Sequence, residues 1–129
     1  MSTGRRQARR TALFLLYQWD LTGQPLGSLY LEDIDPFALE LAKPVVETAA
    51  DLDARITDAA EHWTIERMPL VDRNLLRLAA FELAARPEVP TAVVLDEAIE
   101  LAKLLSTADS GRFVNGVLAH IANEVRGAG

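Results

Sequence analysis

The stretch LVDRNLLRLAAFELAAR, residues 70–86, decides how the rest of the chain has to fold. At 100° per residue its apolar side chains cover almost the whole circumference of a helix and leave no broad polar face. A helix of this kind lies in the middle of a bundle, because every side of it needs a neighbour. The sequence therefore predicts a central helix over 70–86, ended by Pro87.

Helical patterns also lie upstream of this central helix. Residues 7–22 have one apolar face and end at Gly23 and Pro25. A longer helical pattern covers residues 36–63 and begins at Asp35, which we predict to be its N-cap. Pro44 interrupts that pattern, so we expect a kink or a break there. The apolar face of the first helix consists of Ala8, Ala12, Leu15, Leu16 and Trp19.

Two further helices are predicted downstream. Thr91 is the expected N-cap of a helix that runs to about residue 105, and Asp109 the expected N-cap of a last helix that runs to about residue 126. Residues 64–69 read as a connector with room for one short helical turn. No stretch alternates apolar and polar residues over the length of a strand. The fold class is therefore all-α, a compact bundle of five to seven helices.

Length and composition exclude several classes of protein. With 129 residues, half of them hydrophobic and 25% charged, the chain fits one globular domain spanning 1–129. No apolar run approaches the roughly 20 residues of a membrane span, and the N-terminus lacks the apolar core of a secretory signal. The chain has no cysteine, which excludes disulfides and thiolate metal sites. We expect a cytoplasmic protein without a membrane partner.

No motif of an enzyme is present. The chain lacks a glycine-rich phosphate loop, an H-E-x-x-H pair and a nucleophile elbow. Its two histidines, His62 and His120, lie far apart in sequence, and we interpret both as ordinary surface residues. We therefore expect no catalysis, no cofactor and no metal ion.

Charge is distributed unevenly along the chain. Residues 1–19 contain four arginines and no acidic residue, whereas residues 20–66 contain eleven acidic residues and two basic ones. An acidic protein with one compact basic end is typical of a local anion-binding face rather than of a general polyanion binder.

A helical wheel shows how the basic residues of the first helix are arranged. Arg6, Arg10 and Tyr17 fall on one stripe, and Arg9 lies between that stripe and the apolar face. Guanidinium groups bind phosphates and an aromatic ring stacks on a base, which is the combination that single-stranded RNA requires. The alternative is that the arginines are solvated and Tyr17 packs at the edge of the bundle.

Two other elements extend this RNA-binding hypothesis. Arg73 and Arg77 lie one turn apart on the central helix, although ion pairs with a neighbouring helix would explain them equally well. At the start of the last helix, Ser110 and Arg112 can add contacts to a phosphate beside free backbone amides. Phe113 is either a stacking platform or, as its apolar setting favours, part of the core. Trp19 and Trp63 are assigned to packing.

Four blocks of the sequence resemble the bacterial transcription antitermination factor family NusB: RRQARRTALFLLYQW (5–19), VDRNLLRLAAFEL (71–83), DEAIELAK (96–103) and SGRFVNGVL (110–118). The resemblance implies an all-α fold of two packed halves without catalysis. It implies binding of the boxA element of nascent ribosomal RNA together with NusE, a small-subunit ribosomal protein, and assembly of the antitermination complex on RNA polymerase. A homodimer is left open.

The resemblance also assigns residues to these roles. It places Asp72 at an acidic position on the NusE side. The acidic segment 20–66 is expected to face a basic partner rather than RNA. The residues that it places on the RNA face are Arg5, Arg6, Arg9, Arg10, Tyr17, Arg73, Arg77, Ser110, Arg112 and Phe113.

Two alternative functions remain open from the sequence. Ribosomal RNA cytosine methyltransferases carry a NusB-like N-terminal domain, so the chain is also compatible with a detached RNA-binding portion of such an enzyme. A helical adaptor that binds only proteins is the second alternative.

Overall fold

The computed structural model of the protein describes residues 2–61 and 63–127, with side chains from residue 4 onward. Over these residues it contains helices and no strand, which confirms the all-α prediction. Two single-turn 3-10 helices, Leu26–Ser28 and Ile65–Arg67, lie in the connections, the second within the predicted 64–69 connector. The α-helices are α1 (Ser2–Thr22), α2 (Pro36–Glu47), α3 (Ala49–Ala59), α4 (Leu70–Ala85), α5 (Thr91–Leu105) and α6 (Ala108–Arg126).

Helix α4 lies at the centre of the bundle and packs against all five other α-helices. Helices α1–α3 form one half of the molecule and α4–α6 the other, and α4 contributes most of the contact between them. Its apolar residues Leu75, Leu76 and Leu83 are buried in the common core. The prediction of a central helix is confirmed, and its end differs by one residue from the expected one.

Helix α1 buries the face that its sequence predicts. Ala8, Ala12, Leu15 and Leu16 are buried, and Trp19 packs against the core at its edge. Gly23 ends the helix with a positive φ of 72° while its amide donates to the Trp19 carbonyl at 3.0 Å. This left-handed conformation is the one that glycine adopts without strain. The helix begins at Ser2 rather than at residue 7.

The second helical pattern breaks at Thr48 and not at Pro44. Pro44 lies inside α2, and the break falls at Thr48, where φ is −113° and ψ is 19°. Both the amide and the hydroxyl of Thr48 donate to the Pro44 carbonyl, at 3.0 and 2.7 Å. A threonine hydroxyl that bonds back one turn bends a helix, so the predicted break is confirmed but its position was wrong. Helix α3 also ends earlier, at Ala59.

Of the three predicted helix N-caps, one is confirmed and two are wrong. Asp35 caps α2, where its carboxylate accepts from the Phe37 amide at 2.9 Å. Thr91 is already the first residue of α5, and Pro90 precedes it. Thr107, not Asp109, caps α6, because the chain enters the helix two residues earlier than expected.

Two contacts hold the C-terminal half together. Gly111 lies against α5 so closely that a Cβ there would come within 3.1 Å of Lys103 Cγ. The Arg126 guanidinium donates to the carbonyls of Leu83, Arg86 and Val89 at 2.7–2.9 Å and to the Thr91 hydroxyl at 3.0 Å. The end of α6 therefore ties down the turn between α4 and α5.

Candidate nucleic-acid interface

The four arginines at the start of α1 divide into one interior and three surface residues. Arg9 is 4% exposed, and its guanidinium donates from Nε and Nη2 to the Glu82 carboxylate on α4, at 2.8 and 2.9 Å. Burial opposes the charge of Arg9, but the hydrogen bonds and the charge of Glu82 outweigh it and raise the pKa of the guanidinium. Arg9 therefore stays charged and satisfied inside the protein.

The remaining three arginines of this segment lie at the surface. Arg5 places its guanidinium 5.1 Å from the centre of the Phe37 ring, a cation–π contact. Arg6 donates to Glu97 of α5 at 2.8 Å, yet 61% of its side chain stays exposed. Arg10 is partly exposed and has no ion-pair partner among the residues that the structure describes.

A groove of about 360 Å³ runs between α1 and α5 beside these cations. Arg6 and Arg10 line one wall, while Glu97, Glu100 and Leu104 of α5 line the other. Tyr17, two turns further along α1 from Arg10, is partly exposed. Glu97 raises the pKa of the Arg6 guanidinium through its hydrogen bond and its charge. The charge of Glu100 raises this pKa further.

The two arginines of α4 are engaged inside the molecule. Arg77, 5% exposed, donates to Asp53 of α3 at 2.7 and 2.9 Å and to Asp20 of α1 at 2.9 Å. Arg73 donates to both Asp20 oxygens at 2.6 and 2.7 Å, and Asn74 adds a bond at 2.9 Å. The interpretation as ion pairs with neighbouring helices therefore describes Arg73 and Arg77 correctly.

The start of α6 meets α4 at a buried carboxylate. Ser110 is 8% exposed and donates its hydroxyl proton to Asp72 Oδ2 at 2.8 Å. Asp72 is 3% exposed, and its second oxygen, Oδ1, is buried without a hydrogen-bond partner among the described residues. Buried polar atoms are rarely left unpaired, which makes Oδ1 an unusual feature of this carboxylate.

A cavity of about 210 Å³ opens beside this carboxylate. Phe113, partly buried against the core, lines it, and so does Trp63, which is 49% exposed. Their rings meet edge to face with centroids 6.2 Å apart. Arg112 is exposed beside the cavity and pairs with Asp109 one turn back. The site thus combines aromatic faces, an unpaired acceptor and a surface cation.

Helix α5 is the common neighbour of the two surface clusters. Arg6 and Arg10 border its residues 97–104, and Gly111 of α6 contacts it at Ile99 and Lys103. The cationic strip expected from α1, α4 and α6 needs one correction, because Arg9, Arg73 and Arg77 pair internally. The side chains that remain at the surface are Arg5, Arg6, Arg10, Tyr17, Arg112 and the edge of Phe113.

Two residues beside these clusters escaped the sequence analysis. Trp63 was assigned to packing, but it lies in a connector with no helical periodicity to indicate its direction, and half of it is exposed. Glu97 lies on α5, and no local pattern signals its pairing with Arg6 across 91 residues. Asp72, which the resemblance places on the protein-partner side, lines the cavity with Ser110 and Phe113; its partner role stays a prediction.

Comparison with known proteins gives matches over most of the chain. A NusB from Thermotoga maritima superposes with a TM-score of 0.81 at 36% identity, covering 93% of this chain and 91% of that one. The antitermination factor NusB in a structure of NusB and NusE with dsRNA superposes with a TM-score of 0.85 at 30% identity, covering 96% and 99% of the two chains. These superpositions define the class: an all-helical bundle of the NusB type.

Sequence relatives give the family. The transcription antitermination protein NusB of Solibacter usitatus is 45% identical over 132 residues, covering 94% of this chain and 90% of that protein. A profile described as the NusB family matches residues 6–123. The chain belongs to the NusB family.

No described helix is both long and apolar enough to cross a membrane.

Proposed function

We propose that this protein is a transcription antitermination factor that binds the boxA element of nascent ribosomal RNA together with NusE. It acts without catalysis, in the cytoplasm, and helps to assemble the antitermination complex on RNA polymerase. The observation that carries the proposal is the groove between α1 and α5, where Arg6 and Arg10 line one wall. The Phe113 cavity at the start of α6 is the second part of the proposed surface. Relatives matched over most of their length carry the antitermination name, which favours this function over a methyltransferase domain.

The exposed arginines bind the phosphates. Arg5, Arg6, Arg10 and Arg112 keep their guanidinium groups at the surface, and a phosphate can replace Glu97 as the partner of Arg6 because that pair is open to water. With about 0.7 counterions released per phosphate of a single strand, four contacts give a log–log salt slope of about −3. Arg9, Arg73 and Arg77 position the helices and stay out of contact with RNA.

The cavity at the start of α6 receives a base. Phe113 and the exposed part of Trp63 offer aromatic faces, and stacking on such a face contributes about 1–3 kcal/mol per base. Asp72 lines the same cavity, and its carboxylate can accept a hydrogen bond from an amino group on a base edge. An acceptor of this kind favours bases with an amino group, which gives the surface a source of sequence preference.

The acidic segment is proposed as the NusE-facing side. Residues 20–66 contain eleven acidic and two basic side chains. Opposite potentials favour docking of a basic ribosomal protein there, and they also keep RNA away from it. RNA that contacts both proteins binds more tightly through effective concentration.

A titration of boxA-like RNA followed by fluorescence anisotropy tests the function. Wild type, Arg6→Ala/Arg10→Ala and the charge-matched control Lys43→Ala/Arg55→Ala are compared at two salt concentrations. Lys43 and Arg55 are exposed on α2 and α3, away from the proposed surface. Without NusE, we expect the Arg6/Arg10 variant to lose affinity and about 1.4 of the salt slope, and the control to bind like wild type. Because positions 43 and 55 lie in the proposed NusE-facing segment, the titrations with NusE compare only wild type and the Arg6/Arg10 variant.

Two outcomes would reject the proposal. Equal weak binding of boxA and scrambled RNA, unimproved by NusE, would remove sequence-specific RNA recognition. NusE binding that is intact while no RNA binding can be detected would identify the protein as a protein-only adaptor.

A further inference from the structure

A cluster of three metal-ligating side chains lies apart from the proposed RNA surface. Asp58 in α3, and His120 and Glu124 in α6, hold their ligand atoms within 4.8 Å of one another. His120 and Glu124 are one helical turn apart, and His120 Nε2 lies 3.8 Å from Glu124 Oε2. No pattern along the chain indicates that α3 brings a carboxylate to His120, because Asp58 lies 62 residues earlier.

The local electrostatics favour a cation at this place. Asp58 belongs to the last turn of α3 and Glu124 to the last turn of α6, where the unpaired carbonyls already carry partial negative charge. Within residues 4–61 and 63–127, neither carboxylate forms a salt bridge with a lysine or an arginine. Arg126, the nearest basic residue along α6, donates instead to carbonyls of the α4–α5 turn.

We propose that Asp58, His120 and Glu124 form a binding site for a divalent transition metal ion, with zinc as the best match. One imidazole and two carboxylates make a mixed nitrogen and oxygen donor set, which suits zinc and its neighbours, whereas magnesium prefers oxygen ligands alone. Ligands bound at about 2.1 Å in a tetrahedron lie about 3.4 Å apart, so rotation of these exposed side chains closes the site. Water fills the fourth position.

The site joins the two halves of the molecule. Helix α3 belongs to the first half and α6 to the second, and the two helices pack against each other. An ion held by ligands from both helices binds the folded chain and not the unfolded one, so it stabilises the fold through mass action. At a free zinc concentration ten times Kd, the ratio of folded to unfolded protein rises about elevenfold.

Zinc titration of the tag-free full chain tests the proposal, read by calorimetry and by thermal unfolding. We expect one zinc ion per chain, a higher melting temperature with zinc that EDTA reverses, and a much smaller shift with magnesium at the same concentration. His120→Ala and Glu124→Gln should each lower zinc affinity about tenfold or more. All three side chains are exposed, so circular dichroism without metal should be unchanged.

Asp58→Asn is the decisive variant, because a histidine and a glutamate one turn apart on α6 can bind zinc weakly without α3. We expect Asp58→Asn to lose about tenfold in zinc affinity, while Asp96→Asn, an equal charge change at an exposed position of α5, binds like wild type. Equal affinity of Asp58→Asn and wild type would overturn the site between the helices. Absence of any zinc-dependent shift in the wild type would overturn the proposal as a whole.

Discussion

Arg9 and Arg10 are neighbours in the chain, yet they lie in two different regions of the molecule. Arg9 belongs to the interior between α1 and α4, where its guanidinium donates three hydrogen bonds to the Glu82 carboxylate. Arg10 belongs to the surface between α1 and α5, beside an open groove. Burial distinguishes the two: α1 and α4 enclose the Arg9–Glu82 pair, whereas Arg10 stays partly exposed in the groove and forms no described salt bridge. Arginine content alone therefore does not measure an RNA-binding surface.

The largest expected effect comes from the interior region. Arg9→Met leaves Glu82 charged and buried without its partner, and loss of one member of a buried pair costs about 3–5 kcal/mol. Urea unfolding followed by circular dichroism measures this loss. The double variant Arg9→Met/Glu82→Leu should recover most of it, because apolar side chains of similar size replace such a pair at little cost.

Arg10→Met is the matched control for that experiment. Its free energy of unfolding should stay within about 0.5 kcal/mol of wild type, since the side chain is at the surface. Equal destabilisation by the two substitutions would show that the division into an interior and a surface region is wrong.

The second-largest effect on stability is expected from Asp20, which accepts hydrogen bonds from Arg73, Asn74 and Arg77 of α4. Burial opposes its ionisation, but hydrogen bonds from Arg73 and Asn74 and the charges of Arg77 and Arg73 outweigh it and hold its pKa below the usual range. Asp20 therefore stabilises the fold above its ordinary pKa of about 4, and this contribution is lost as the pH falls through the lower folded pKa.

Asp20→Asn removes that pH dependence. The stability difference between wild type and Asp20→Asn should be largest near pH 6 and should shrink as the pH falls from about 4 towards 2. Chemical unfolding at a series of pH values measures it. A difference that is constant across this range would mean that the carboxylate charge contributes nothing to the network.

The surface region should affect binding instead of folding. Arg10→Ala should weaken boxA-like RNA about tenfold at low salt, since a hydrogen bond to a charged group contributes roughly 1.5–3 kcal/mol. Its melting temperature should match wild type. Anisotropy titrations and thermal unfolding on the same samples separate the two effects, and a loss of stability without a loss of binding would place Arg10 with the interior residues.

The smallest expected effect has the opposite sign. Glu97→Gln removes the carboxylate that competes with RNA phosphates for Arg6. Because water already screens the exposed Arg6 side of this pair, RNA affinity should rise by no more than about fivefold. Glu100→Gln, in the same groove but outside any described salt bridge, is the control. Weaker binding of Glu97→Gln would mean that Glu97 orients Arg6 for RNA.

Local sequence patterns predicted the features that are encoded within a single helix. The central position of α4 and the buried face of α1 follow from the spacing of apolar residues, and the start of α2 follows from Asp35 before a proline. The two other caps were misplaced, because Thr107 and Asp109 both suit that role and only the path of the chain selects between them.

The partners of the charged residues could not be predicted in the same way. A helical wheel indicates which side of α4 holds Arg73, but the acceptor, Asp20, lies 53 residues earlier on another helix. The same limit applies to Asp58 and His120, which only the packing of α3 on α6 brings together. Single-helix patterns therefore predict a face and its polarity, and the packing of helices determines what that face binds.

The hydrogen bonds of Arg126 have a consequence for synthesis on the ribosome. The carbonyls at the turn between α4 and α5 are made up to 43 residues before the guanidinium that satisfies them. Until α6 has left the exit tunnel, water must solvate those carbonyls, and the turn lacks the hydrogen bonds from Arg126. The packing of α4, α5 and α6 is therefore completed only after α6 has emerged.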